Sequence, residues 1–106
     1  MSSELTSPRV NSARLADYIG RNVRLTCKVL KVSSDSALVE ASDGGQVKII
    51  ITATPITDTY IEVIGKVEEP GVIKMLNCVN QGNNLNMKLV NSVVELWHNP
   101  KFSSMF

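Results

Sequence analysis

The decapeptide VRLTCKVLKV, residues 23–32, alternates apolar and polar side chains and then changes parity with no turn residue in between. Val23, Leu25, Cys27 and Val29 share one side, after which Leu30 and Val32 carry the apolar pattern on the other. Side chains alternate faces along a strand, so a parity switch inside a continuous strand requires a bulge or sharp bend, here near Val29 and Leu30. Small barrels need such bends to close. The first long strand thus already restricts the chain to a strongly curved β architecture.

The segments that follow fit that restriction. Residues 33–36, SSDS, make a polar turn. Residues 37–42 and 46–51 read as a hairpin across Asp43-Gly44-Gly45, whose glycines supply positive φ, with Val39 and Ala41 facing Val47, Ile49 and Ile51. Residues 52–59 are a Thr-rich connector in which Pro55 forbids a central strand. A fourth strand follows with Ile61, Val63, Gly65 and Val67 inward, and after the turn Glu69-Pro70-Gly71 a fifth runs over 72–80. Ahead of the strands, NSARLADYIG (11–20) predicts a short helix. Asn11 or Ser12 would be its N-cap, Leu15, Tyr18 and Ile19 its apolar side, and Gly20 its stop. Five short strands, a mid-barrel connector and flanking helices predict a mainly β fold. The expected form is a five-stranded Greek-key barrel of the oligonucleotide/oligosaccharide-binding (OB) type, with an SH3-like barrel as its rival.

A chain of 106 residues suits one domain. Its expected organisation is a polar tail over 1–8, helix and barrel over 9–84, a C-terminal helix over 85–98 and a tail over 99–106. Neither an apolar signal core nor a membrane-length apolar run is present, which predicts a soluble intracellular protein. Cys27 and Cys78 lie inside apolar strand runs and read as buried reduced thiols, without the paired spacing of a zinc site.

The segment LNMKLVNSVVELWH (85–98) constrains function most. At about 100° per position, Leu85, Met87, Leu89, Val90, Val93, Val94, Leu96 and Trp97 cover roughly half the circumference, opposite Lys88, Asn91, Ser92, Glu95 and His98. A helix that only caps its own barrel needs a narrower stripe. Two readings stand: a helix packed solely on its own domain, or one that touches the barrel with one edge and partner helices with the other, with Trp97 as anchor. Three valines lower its intrinsic helicity, so packing must hold it.

Direct nucleic-acid binding by such barrels uses base stacking on aromatic side chains in a basic groove. Tyr18, Tyr60, Trp97, Phe102 and Phe106 are the only aromatic residues, and none falls in the second or third strand. The loops expected to rim the groove carry Asp35 and the pair Glu68 and Glu69, which oppose phosphate. A net charge of +1 adds no bulk attraction. The row Arg21, Arg24, Lys28 and Lys31 is the counterargument; Arg24, Lys28 and Lys31 are the candidates for weak nucleic-acid contact. A single histidine, His98, and the lack of a nucleophile elbow, P-loop or HExxH motif argue against an enzyme, a small barrel hydrolase being the catalytic alternative.

Taken in order, PRVN (8–11), SARLADYIG (12–20), VRLTCKVLKV, ASDGG (41–45), YIEVIGKV (60–67) and LVNSVVELWH (89–98) resemble the smallest subunit of replication protein A, the eukaryotic single-stranded-DNA-binding heterotrimer. The likeness runs from Pro8 to about Phe102 and rests on order and spacing; the short loop and tail point to a fungal-type member. The resemblance implies a nuclear, non-catalytic assembly subunit acting in DNA replication, repair and recombination, without cofactor, metal, membrane or small-molecule substrate. Its implied partners are the middle and large subunits through a three-helix bundle, with single-stranded DNA reached mainly through the complex. By matched position the bundle residues are Leu89, Val90, Val93, Val94, Leu96 and Trp97. Cys27 stands where such barrels often hold glycine, which puts the bend of that strand in question. The alternative is an independent single-strand binder such as a telomere-capping small subunit.

Overall fold

The structure, a computed structural model, describes residues 7–52 and 56–99. Strand β1 (Arg9–Val10) leads into a 3-10 helix (Ser12–Tyr18), then β2 (Asn22–Val32), β3 (Ser36–Ala41), β4 (Gln46–Ile50), β5 (Tyr60–Glu69), β6 (Val72–Asn80) and helix α1 (Met87–Trp97). The sheet order is β1-β2-β3-β4-β6-β5, and β5 pairs back onto β2. Strands β2 to β6 therefore form a closed five-stranded OB-type barrel, with β4 and β6 parallel to each other.

Strand β2 closes the ring by serving two partners. Its residues from Asn22 to Lys28 pair with β5, and those from Cys27 to Val32 pair with β3. The register with β3 shifts between Val29 and Lys31, where the change of parity predicts a bulge. The strand stays continuous through Cys27, so the irregularity sits at Leu30. Inside, Val23, Leu25, Cys27, Ile49, Ile61, Val63, Ile73 and Met75 are fully buried, each apolar side chain contributing about 1.5–3 kcal/mol of transfer free energy. Val39 faces Val47 and Ala37 faces Ile49 across the hairpin.

Three glycines have distinct reasons for being glycine. Gly44 turns the β3–β4 hairpin with φ of +90°, whereas at Gly45 a Cβ would strike the Ser12 side chain. At Gly65 a Cβ would strike the Lys74 carbonyl oxygen, so β5 and β6 approach there as only glycine permits.

Several expectations are corrected. The N-terminal helix is of 3-10 type; Leu15 is buried, but Ile19 is half exposed and bridges to Val67. Asn11 occupies the N-cap position without capping, because its side chain reaches α1 instead. The expected tail over 1–8 is shorter at its inner end: Ser7 and Pro8 are buried, and the Pro8 carbonyl accepts from the Arg24 N–H at 2.8 Å. Residues 9–10 add a strand parallel to β2, too short to show a period in the sequence. Leu30 and Val32 take the new parity but are 42% and 51% exposed, because the strand has passed the end of the barrel core. The helix expected over 85–98 is shorter, since Asn86 caps it. The expected tail over 99–106 lies outside the described residues except for Asn99.

Candidate functional site

Helix α1 starts where Asn86 Oδ1 accepts from the Leu89 N–H at 3.1 Å, satisfying one of the donors a helix N-terminus leaves free. Its attachment to the barrel is largely polar. Asn91 Oδ1 accepts from Asn11 Nδ2 at 2.9 Å and from Ser42 Oγ at 3.0 Å. Glu95 accepts from Asn11 Nδ2 at 2.8 Å and, as a bidentate pair, from Arg14 Nε and Nη2 at 3.0 and 2.8 Å. One turn on, His98 Nε2 lies 2.6 Å from the Arg9 carbonyl oxygen; a carbonyl can only accept, so this nitrogen is the donor. Val94 is the one buried residue of the helix.

The opposite face meets solvent. Leu89, Val93, Leu96 and Trp97 are 61%, 46%, 50% and 38% exposed, while Val90 is half-buried at the boundary. Leu89, Val93 and Leu96 are spaced by four and then three residues, the interval that lines a seam between helices. Trp97 packs against His98 with centroids 4.9 Å apart. Of the six helix residues matched to a bundle, five thus rim or face the open side and Val94 turns inward. The expected barrel contact is an edge of the apolar arc; Val94 makes it, and Asn91, Glu95 and His98 on the opposite side add a polar attachment, because Asn11, Arg14 and the Arg9 carbonyl offer partners there. Sequence spacing separates the two faces but cannot say which one the barrel satisfies.

The expected basic row does not form one patch. Arg24 Nη1 lies 3.2 Å from Oε1 of Glu62, whose side chain is only 9% exposed, and Arg9 Nη1 lies 3.7 Å from Oε2 of the same carboxylate. The guanidinium of Arg21 sits 5.3 Å from the Tyr18 ring centroid. Lys28 is half-buried between Glu40 and Tyr60 in register, and Lys31 is exposed and in register with Leu38, beyond which lies Lys48. Lys48 is missing from the sequence-derived set because only the β3–β4 register brings it beside Lys31. Glu68, Glu69 and Asp35 are all exposed.

Two carboxylates are tuned by their contacts. The hydrogen bond from Arg14 and then that from Asn11 hold Glu95 below the usual glutamate range. Burial pushes Asp43 upward, but hydrogen bonds from the Ser12 hydroxyl and from the N–H groups of Ala13, Gly45 and Ser12 outweigh it, leaving a net depression. Asp43 thereby ties the β3–β4 turn to the start of the 3-10 helix. Burial raises the Cys27 thiol strongly, with Cys78 adding to it, and raises Cys78 as well; both are free thiols. Among the described residues no group of three or more His, Cys, Asp or Glu could hold a metal ion, and no helix is long and apolar enough to cross a membrane.

A barrel of this topology with a C-terminal helix is matched along residues 1–106 by the family model for replication factor A protein 3. The chain belongs to the replication factor A protein 3 family. The chain is 30% identical to a replication protein A 14 kDa subunit of Arabidopsis thaliana, over 92% of its own length and 91% of the relative's. It is 24% identical to replication factor A protein 3 of Schizosaccharomyces pombe, covering 97% of each chain. Among solved structures, a chain in that of U. maydis replication protein A bound to ssDNA superposes with a TM-score of 0.80 at 32% identity, covering 85% of this chain and 87% of that one. The telomere capping protein Ten1 from S. pombe superposes with a TM-score of 0.69 over 84% of this chain and 94% of its own. Its identity is 10%, a likeness of fold alone.

Proposed function

We propose that this chain is a non-catalytic assembly and stabilising subunit of a heterotrimeric single-stranded-DNA-binding complex, acting in the nucleus in DNA replication, repair and recombination. The carrying observation is the orientation of α1. Its polar side is fastened to the 3-10 helix, β1 and the β3–β4 turn, and Leu89, Val93, Leu96 and Trp97 are presented outward at helix-seam spacing. Burying those four side chains against partner helices would remove apolar surface from water at about 25 cal/mol per Å². Leu89, Val90, Val93, Val94, Leu96 and Trp97 form the partner interface in this reading, with Val94 supporting the helix from below. Membership of the replication factor A protein 3 family and the likeness to a chain of U. maydis replication protein A bound to ssDNA support this reading; its partners are the middle and large subunits of replication protein A, met in a three-helix bundle.

Single-stranded DNA is reached mainly through those subunits. The outer face of β3 and β4 has no aromatic side chain, and Asp35, Glu68 and Glu69 stand near its ends. Arg24 is engaged with Glu62, which leaves Lys28 and Lys31 of the sequence-derived cations for weak contact. Co-expression with the two larger subunits followed by size-exclusion chromatography tests the reading. One heterotrimeric species is expected, and elution of this chain separately from the other two would overturn it.

A further inference from the structure

Between α1 and the barrel wall lies a groove of about 210 Å³, lined by Leu89, Val90, Val93 and Val94 on the helix and by Arg9, Arg24, Thr26 and Gln81 on the wall. We propose that this groove takes a carboxylate side chain carried beside the apolar stripe of a partner helix. The proposal rests on the assembly reading above and adds the chemistry that the partner must bring.

The apolar wall is continuous with the exposed helix face, since Leu89 and Val93 belong to both. A helix seated on that face lies along the mouth of the groove. On the other wall two guanidiniums share one carboxylate. Glu62 is buried beneath them, so the cluster of Arg9, Arg24 and Glu62 carries one net positive charge. No groove-lining residue is acidic. Glu95, the nearest helix carboxylate in sequence, is turned away onto Arg14 and Asn11.

Within the cluster Arg9 is the more weakly held member. Its contact with Glu62, at 3.7 Å, is longer than a hydrogen bond, and its side chain is 47% exposed against 23% for Arg24. A partner helix that covers Leu89 and Val93 takes water away from Arg9. Removing a charge from water without a counter-ion is strongly unfavourable, whereas a carboxylate opposite a guanidinium fork is matched in charge and geometry. Arg9 therefore selects among apolar helices, admitting one with a correctly placed Asp or Glu and penalising one without.

The test uses the reconstituted heterotrimer and measures the dissociation constant of this chain from its partners at two salt concentrations. Arg9→Gln is expected to weaken assembly about 10-fold at low salt, with the deficit shrinking at high salt. Arg9→Glu should weaken it by on the order of 100-fold, and Arg9→Lys by less than Arg9→Gln. The Arg9 carbonyl bond to His98 is a backbone contact that all three variants keep, and unchanged thermal melts of the free chain would show that folding is intact. Arg21→Gln, remote on Tyr18, serves as the control that should bind normally. Wild-type affinity and salt dependence in Arg9→Gln and Arg9→Glu would overturn the groove while leaving the assembly reading standing. Failure of the unaltered chain to assemble would overturn both.

Discussion

Asn11 Nδ2 donates to Asn91 Oδ1 at 2.9 Å and to Glu95 Oε2 at 2.8 Å, so one amide grips two side chains a turn apart on α1. That grip sets the roll of the helix about its own axis and hence which face it turns outward. Asn11→Ala removes both bonds at a buried position and should lower stability by about 1–3 kcal/mol, read as a shift in the urea midpoint. Amide exchange in α1 should quicken more than in the barrel strands; uniform quickening would mean that Asn11 supports the whole domain and does not fasten the helix in particular.

The same contacts predict the response to acid. Glu95 and Asp43 both have carboxyl pKa values depressed in the folded chain. A depressed carboxylate contributes stability that is fully present above its unfolded value, about 4 for these residue types, and is lost as pH falls through its folded value. The urea midpoint should change little through these groups between about pH 7 and 5 and then decline below about pH 4. Asp43→Asn and Glu95→Gln should each flatten that decline, and an acid limb identical to wild type in both variants would rule out these two groups as its source.

How far this was legible in the sequence depends on what sets each feature. Local periodicity locates the bulge by Leu30, the hairpin turn at Gly44, the inward rows of β2 to β5 and the span of β6. The strand Arg9–Val10 is too short to have a period, and its pairing with Arg24 and Leu25 is a tertiary event. The two faces of α1 were separable by spacing, but their assignment was not. Asn91 and Glu95 face inward because Asn11 and Arg14 stand 80 residues or more away in the chain, waiting with donors. Arg24 looked like a surface cation because nothing near it in sequence discloses Glu62 on the neighbouring strand.

That last pairing yields its own prediction. Arg24→Glu would set two carboxylates together under α1, with Glu62 nearly buried and only Arg9 left to balance them. The expected loss is on the order of 3 kcal/mol, the scale for stranding a buried ion. Lys28→Glu, on a half-buried side chain beside Tyr60, should cost much less. Thermal denaturation of both variants decides between them, and equal melting temperatures would show that the Arg24 pair contributes nothing to stability.

For the isolated chain, affinity for oligo-dT should be weaker than micromolar at physiological salt. The outer strand face offers Lys31 and Lys48 on either side of Leu38 and no aromatic platform. With Lys28 counted as well, three lysines neutralising three phosphates give a slope of log K against log salt no steeper than about −2.1 for a single strand. Fluorescence anisotropy across a salt series measures it, and tight binding with a steep slope would identify an independent single-strand binder.

The assembly reading requires the outward face of α1 to be an interface. Val93→Asp with Trp97→Ala places a charge and a truncation on that face while leaving Asn91, Glu95 and Val94 in their inward contacts. Co-purification of this double variant with the two larger subunits, alongside a circular dichroism spectrum of the free chain, decides the matter. The expected result is a wild-type spectrum with the partners lost; retention of both partners at wild-type stoichiometry would contradict the assignment of that face.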